Sequence, residues 1–326
     1  MPDLDPEELA SRLRSAGVVD ARPLSGGASS LTYAARMGER RVVVKVAPPG
    51  VAPVHNRDVL RQARLIRALG GTAVPVPEIL HEDVGDPPAV PPLFVMSWVE
   101  GDSFEPLFDV DPPNVTADVV SERLRDAART LAGLHRVDLG SLGLVHEPAS
   151  GPVDEVDRWC RTLETVDPPL VPGWREVYDA LRATAPVPLP PVVVHGDYRL
   201  GNLLATGGRV TAVVDWEIWS VGDPRVDVGW FLINADPRTY RRATPLAGSL
   251  ASPDELARVY EDTLGQPQTD LAWFEALSCF KSAATWSLIV KHNRRRSSPD
   301  RALEAMVPVL PALLRRARDH LASPTA

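Results

Sequence analysis

Residues 195–217 read HGDYRLGNLLATGGRVTAVVDWE, and the architecture is most readily inferred from this segment. The valines at 192–194 predict a short strand that delivers the carboxylate of Asp197, and Asn202 follows five residues later. Apolar alternation on both sides of the Gly-Gly pair predicts a hairpin, because glycine tolerates the positive φ angles of a tight turn. A hairpin brings its ends together, so Asn202 and Asp215 should face one another near Asp197. Two carboxylates and an amide oxygen suit Mg²⁺ and a general base.

This motif resembles the His-Gly-Asp-x-x-x-x-Asn signature of the aminoglycoside phosphotransferase and choline kinase-like family, which has a further Asp on the next strand. The DWE at 215–217 and the GDPRVD at 222–227 extend the resemblance, which covers about residues 20–290. The segments GGASSLTY, HGDYRLGNLL and VVDWE look most similar to the branch that includes macrolide kinases and the kinase-like domains attached to acyl-CoA dehydrogenases. The resemblance implies a bilobal, protein-kinase-like α+β fold, with a β-rich N-terminal lobe and an α-rich C-terminal lobe.

The rest of the chain divides in the same way. Alternating apolar residues predict strands before residue 97, with one helix at about 57–69, whereas helical spacing prevails beyond Gly101. We therefore expect a nucleotide-binding lobe over residues 1–97 and a catalytic and acceptor-binding lobe over residues 98–326.

The resemblance also implies roles for single residues of the second lobe. Asp197 is expected to be the catalytic base, and Asn202 and Asp215 are expected to bind the Mg²⁺ that bridges the nucleotide phosphates. His195 is expected to order the loop by hydrogen bonding, and Asp227 to hold it from a buried position.

The first lobe offers residues for the nucleotide. Lys45 stands mid-strand in VVVKVA with apolar neighbours on its own face, which favours a phosphate ligand over a solvent-facing side chain. The loop SGGASS, with Ser29 and Ser30, is suited to present N–H groups and hydroxyls to phosphates. The segment FVMSWVEG resembles the family's interlobe hinge, where the carbonyl of Ser97 and the N–H of Val99 would bind adenine, with Met96 against the ring.

One position departs from the family pattern. Kinase-like folds usually pair this lysine with a glutamate on the small-lobe helix, but the helix here reads RDVLRQARLIRAL. Gln62 aligns with that glutamate and would accept a hydrogen bond from Lys45. Asp58, one turn earlier, is the other candidate, and the sequence leaves the two open.

The implied activity is transfer of the γ-phosphate of ATP, GTP not being excluded, to a hydroxyl of a small molecule such as an antibiotic or a metabolite. Glu217 and Trp219, close to the metal ligands, are expected to contact this acceptor. No dense acidic run lies near the site, so an aminoglycoside acceptor is not favoured. The alternative is a nucleotide-binding, pseudokinase-like regulatory module, which only Gln62 supports. A protein kinase is disfavoured because HGD replaces HRD and no APE-like segment follows.

Composition limits the remaining classes of function. The chain has 326 residues and a net charge of −8, which argues against general nucleic-acid binding. Its two cysteines are far apart, which disfavours a disulfide framework or a zinc site. The N-terminus is acidic and no apolar stretch reaches the 18 or so residues of a membrane span, so we expect a cytoplasmic protein. The acceptor's identity and the oligomeric state are left open.

Overall fold

A computed structural model of the chain describes residues 5–24, 30–106, 115–240, 246 and 250–322. The elements of the first part, in chain order, are α1 (Pro6–Ser15), β1 (Val18–Pro23), β2 (Leu31–Met37), β3 (Arg40–Val46), α2 (Val59–Leu69), β4 (Ile79–Asp83) and β5 (Leu93–Ser97). The strands form one antiparallel sheet in the order β1-β2-β3-β5-β4. The β-rich first lobe is therefore present, with one strand, β1, that the sequence pattern does not predict.

Strand β3 has two different faces, because successive residues of a strand point to opposite sides. Val42, Val44 and Val46 are buried in a cluster with the apolar face of α1. Val43 and Lys45 face the other way and line a cavity beneath the sheet. The alternation therefore turns the lysine side chain inward, towards the second lobe.

Helix α2 packs beneath this sheet. The Asp58 carboxylate accepts the N–H of Arg61 at 2.9 Å and so caps the first turn. Val59 and Ile66 are buried in a cluster that also contains Phe94 of β5. The helix predicted at about 57–69 thus begins two residues later, after its capping residue.

The second part is mainly helical. Its elements, in chain order, are α3 (Ala117–His135), β6 (Ala149–Ser150), α4 (Pro152–Leu163), α5 (Trp174–Ala183), β7 (Val192–Val194), β8 (Leu203–Thr206), β9 (Arg209–Val213), β10 (Ser220–Gly222), α6 (Arg225–Ala235), α7 (Pro237–Tyr240), α8 (Pro253–Leu264), α9 (Leu271–Asn293), α10 (Arg301–Glu304) and α11 (Leu310–Ala322). Strands β8 and β9 form the predicted hairpin, and β6, β10 and β7 form a three-stranded sheet.

Helix α6 has no signature in the sequence pattern. All of its residues are buried, and a helix enclosed on every side lacks the amphipathic period that marks surface helices. Near the end of the chain two separate helices, α10 and α11, have Pro308 between them. Although α6 and α9 are rich in apolar residues, none of the helices in the described ranges is both long and apolar enough to cross a membrane.

One apolar cluster joins the two parts of the chain. Phe94 and Ile66 from the first part share it with Leu124 of α3 and with Trp216, beyond the hairpin. A second cluster forms among α4, α5, α6, α9 and α11. The first lobe therefore rests directly on the elements that carry the motif. We propose the lobe boundary at 97/98, where β5 ends.

Candidate active site

The loop that follows β7 carries Asp197, and its backbone shape requires glycine at one point. Gly196 has φ +85°, and a Cβ there would lie 2.7 Å from the carbonyl oxygen of Ile218. Asp227, on the first turn of α6, accepts the N–H groups of His195 and Gly196 at 2.6 and 2.8 Å. The buried carboxylate thus holds the loop on α6.

His195 ties the same loop to the hairpin. Its Nε2 donates to the carbonyl oxygen of Val214 at 2.9 Å, and its Nδ1 accepts the N–H of Asp197 at 3.1 Å. Burial alone would raise the pKa of Asp227, but His135, whose Nε2 lies 3.5 Å away, and His195 together lower that pKa. His195 and Asp227 therefore both hold the loop that carries Asp197 in place.

The Asp197 carboxylate is oriented from three sides. Trp230 Nε1 and Arg199 Nε donate to its Oδ1 at 2.8 and 3.3 Å. Asn202 Nδ2 donates to its Oδ2 at 2.8 Å and to its main-chain oxygen at 2.9 Å. The side chain is still 26% exposed, so it is fixed in direction and open to a ligand.

Asn202 and Asp215 stand at the two ends of the hairpin and line the same cavity. The N–H of Val214 donates to the carbonyl oxygen of Asn202 at 3.0 Å, which closes the pair of strands. Strand β9 ends at Val213, earlier than the predicted end at Asp215. Asp215 has φ 65°, a left-handed conformation that is uncommon for residues with a Cβ and that concentrates at functional sites.

Lys45 pairs with Asp215 across the two lobes, its Nζ 2.8 Å from Oδ1. Among the described residues no hydrogen bond joins Lys45 to Gln62 or Asp58, and Asp215 takes the place of both expected partners. Asp58 is occupied as the cap of α2, and Gln62 is a neutral side chain, 2% exposed, whose Nε2 has no partner in the described part of the chain. Burial alone would raise the pKa of Asp215, but the Lys45 ammonium outweighs it and lowers that pKa.

The cavity between the sheet and the hairpin has a volume of about 410 Å³. Polar groups stand at one side, and apolar side chains from both lobes form the remaining walls. Its lining includes Leu24, Ser30, Val43, Lys45, Pro77, Met96, Ser97, Trp98, Val99, Asn202, Leu204 and Asp215. The Ser30 hydroxyl is buried there without a hydrogen-bond partner in the described ranges. Ser29 lies outside the described residues.

The oxygen atoms at the polar end fit a magnesium ion that is bound together with phosphates. Asn202 Nδ2 donates to Asp197, so Asn202 Oδ1 is left as a metal ligand. Lys45 occupies Asp215 Oδ1, so Asp215 Oδ2 is left as a second ligand. Within the described ranges no three His, Cys, Asp or Glu side chains form a metal-binding group. Mg²⁺ commonly takes only one or two protein carboxylates and completes its shell with water and substrate phosphates.

The two residues expected to contact the acceptor, Glu217 and Trp219, are not among the residues that line this cavity. Trp219 is 4% exposed, sits in the apolar cluster between the lobes, and carries the Arg61 guanidinium 3.6 Å above its ring. Both the core and Arg61 cover this ring, which leaves little of its surface for an acceptor. Glu217 lies in a turn beyond the end of β9 and does not line the cavity.

Two further residues join the site without a prediction. Glu105 is buried, and its Oε2 accepts the N–H of Gly201 at 3.2 Å and Arg199 Nη1 at 3.4 Å. Burial alone would lower the pKa of Arg199, but the carboxylates of Asp197 and Glu105 raise it. Arg199 stands at one of the x positions of the His-Gly-Asp-x-x-x-x-Asn signature. Only its place in the loop could have indicated a role for it. Glu105 follows no periodic pattern and gives no signal in the sequence.

Comparison with known proteins agrees with this geometry. Residues 20–261 match the Phosphotransferase enzyme family. The chain belongs to this family. As a family member it is 25% identical over 291 residues to acyl-CoA dehydrogenase family member 10 from Mus musculus, a match that covers 86% of the chain and 27% of the relative. The chain therefore spans about a quarter of that relative's length, and the expected resemblance to acyl-CoA dehydrogenase proteins is confirmed.

Solved structures of other phosphotransferases share the fold. A protein of Ralstonia eutropha JMP134 with a provisional aminoglycoside phosphotransferase name has a TM-score of 0.77 and 22% identity, covering 97% of this chain and 98% of that one. A thermostable mutant of aminoglycoside phosphotransferase APH(4)-Ia, in ternary complex with AMP-PNP and hygromycin B, has a TM-score of 0.64 and 19% identity, covering 95% and 98%. The predicted protein-kinase-like α+β fold is confirmed.

Proposed function

We propose that this family member transfers the γ-phosphate of ATP, in the presence of Mg²⁺, to a hydroxyl group of a small molecule. One observation carries the proposal. Lys45, Asn202 and Asp215 converge on one cavity between the lobes, beside an Asp197 carboxylate that three donors orient. Carboxylates that only close turns or cap helices would not be expected to lie next to a buried lysine from a strand of the other lobe.

The shape of the cavity supports a nucleotide. Leu24 and Val43 from the first lobe and Leu204 from the second are apolar walls suited to a purine ring. The segment from Ser97 to Val99 also lines the cavity, where its main-chain polar groups would meet the ring edge. The AMP-PNP complex of the structural neighbour supports this occupant.

The polar end supports the triphosphate and the metal. The Lys45 ammonium has three N–H donors. One donates a hydrogen bond to Asp215, and the other two are available for phosphate oxygens. The unpartnered Ser30 hydroxyl is a further donor on the same side. Asn202 and Asp215 would hold Mg²⁺, which, when bound, neutralises charge on the phosphate oxygens.

The reaction itself falls to Asp197. Its carboxylate would accept the proton of the acceptor hydroxyl or orient that hydroxyl for in-line attack on the γ-phosphorus. Arg199 adds a positive charge next to it, held in place by Glu105. His195 and Asp227 fix the loop and take no part in proton transfer.

A screen for ADP release tests the proposal. The purified chain is incubated with MgATP and a library of hydroxyl compounds, including hygromycin B and macrolides, and each response is checked by mass spectrometry for a phosphorylated product. The expected result is an acceptor-dependent release of ADP that Asp197→Asn abolishes. Binding of MgATP without a phosphorylated product from any compound would favour the regulatory module instead.

A further inference from the structure

A lysine lies buried beneath the catalytic loop. Lys281, on α9, is 4% exposed, and its Nζ donates to the carbonyl oxygen of Gly196, the residue before Asp197. It forms no ion pair with any residue that the structure describes. Its positive charge is therefore held next to the candidate base by a main-chain carbonyl rather than by a counter-ion.

Two indole rings complete the surroundings of this ammonium. Its Nζ lies 3.8 Å from the ring centre of Trp230 and 5.5 Å from that of Trp159. The indole N–H of Trp230 donates to Asp197 Oδ1 at 2.8 Å. A cation over the face of an indole draws electron density from the ring and makes its N–H a stronger donor. Lys281 thus reaches Asp197 by two routes, the Gly196 carbonyl and the Trp230 ring.

The position is costly for a charged group. Burial lowers the pKa of Lys281 to about 8, although the nearby carboxylates of Asp197, Glu155 and Asp227 act in the opposite direction. An apolar side chain of similar length would fill the same space without this desolvation. The charge therefore needs a reason other than packing.

We propose that Lys281 is a positioning residue for phosphoryl transfer: it fixes the Gly196 carbonyl and the Trp230 ring, and so directs the Asp197 carboxylate towards the acceptor hydroxyl. This role rests on the proposed function, since it acts through Asp197.

Lys281→Met tests the role, with Lys291→Met as its matched control. Lys291 lies on the same helix and also donates to a main-chain carbonyl, that of Thr165, but on the outside of the molecule. With MgATP and the acceptor that gives the largest response in the screen, Lys281→Met should lower kcat about 10-fold to 100-fold and change the KM for MgATP less than twofold. Its melting temperature should stay equal or rise, because a buried charge is removed.

Each other outcome is informative. If the wild type is active and kcat is unchanged in Lys281→Met, the role of Lys281 is overturned and the proposed function stands. The same holds if Lys281→Met has a lower melting temperature and both its kcat and its KM for MgATP change. A wild type that transfers no phosphate to any acceptor overturns the proposed function, and this role with it.

Trp230→Phe is a second variant that leaves the ammonium in place. It keeps a ring over Lys281 and removes only the N–H that Asp197 accepts. We expect a similar loss of kcat, and a double variant whose loss is smaller than the product of the two single losses, because both changes affect the contact through Trp230 and only Lys281→Met affects the contact through Gly196. Additive losses would overturn the route through Trp230.

Discussion

Asp215 combines two tasks in the candidate site, since one oxygen holds Lys45 and the other is left for a metal ion. Its left-handed backbone turns the side chain out of the line of β9 and into the cavity. The pairing replaces the helix glutamate that the family pattern suggested. A local pattern could not predict it, because the two residues are 170 positions apart. Their types, a strand lysine and an aspartate after a hairpin, were nevertheless recognisable.

Replacement of Asp215 should weaken nucleotide binding in a metal-dependent way. Asp215→Ala removes a charged ligand and should lower the affinity for MgATP about 10-fold to 100-fold, with a smaller loss in the absence of Mg²⁺. Glu217→Ala, two residues along and outside the cavity lining, is the control and should retain the nucleotide affinity. Titration calorimetry on both variants, with and without Mg²⁺, measures this. Equal losses in the two variants would place Glu217 among the metal ligands.

Two glycines with positive φ angles allow a matched test of the loop. Gly196→Ala meets the Ile218 carbonyl at 2.7 Å, whereas Gly207→Ala, at φ +57°, meets no atom within 4 Å. We expect Gly207→Ala to lower the free energy of unfolding by about 1 kcal/mol, from backbone strain alone, and Gly196→Ala by about 2–4 kcal/mol. Urea unfolding at neutral pH measures both changes. Equal losses of unfolding free energy in the two variants would mean that the loop accommodates the added Cβ at position 196 at no extra cost.

At the scale of elements, the amphipathic helices and the hairpin were predictable because each shows its own period. Helix α6 was not, since it is buried on all sides, although the GDPRVD motif marks its start. The same enclosure explains its role: Asp227, from its first turn, holds the N–H groups of the catalytic loop. Lys281 is one of three charged residues of the largely apolar helix α9, with Glu275 and Lys291, and no local pattern distinguishes it from them. Its meaning depends on α9 lying beneath the loop, which only the tertiary structure shows.

The Asp227 carboxylate should stabilise the fold in a pH-dependent way. Its pKa is lowered in the folded chain, so its contribution is fully present above the unfolded value of about 3.9 and is lost as the pH falls through the folded value. Asp227→Asn leaves one buried N–H without an acceptor and should cost about 1–3 kcal/mol at pH 7.

Urea unfolding from pH 7 down to pH 3 measures the difference in the free energy of unfolding between wild type and Asp227→Asn. The gap between wild type and Asp227→Asn should narrow below about pH 4. Asp254→Asn, an exposed change on α8, is the control and should stay within about 0.5 kcal/mol of wild type at each pH. A gap that is absent at pH 7, or that widens in acid, would contradict the role given to Asp227.

For the whole molecule, the bilobal division followed from a change in pattern along the chain, and the family comparison confirms the fold. What could not be predicted is how the lobes meet. Trp219 lies close to the motif in sequence, but α2 brings Arg61 over its ring and encloses it. Lys45 finds its partner in the other lobe for the same reason. The candidate site is thus a product of the interface between the lobes.

The central claim is that Asp197 serves phosphoryl transfer and not nucleotide binding. Asp197→Asn preserves the shape of the side chain and removes its charge, whereas Asp157→Asn, at a surface aspartate paired with Arg182, provides the control.

The decisive measurement compares the rate of acceptor phosphorylation with the affinity for MgATP in wild type and both variants. We predict that Asp197→Asn lowers the rate by about 10²–10⁴ while its affinity for MgATP stays within a few-fold, and that Asp157→Asn matches wild type in both. A rate in Asp197→Asn within a few-fold of wild type would contradict the account.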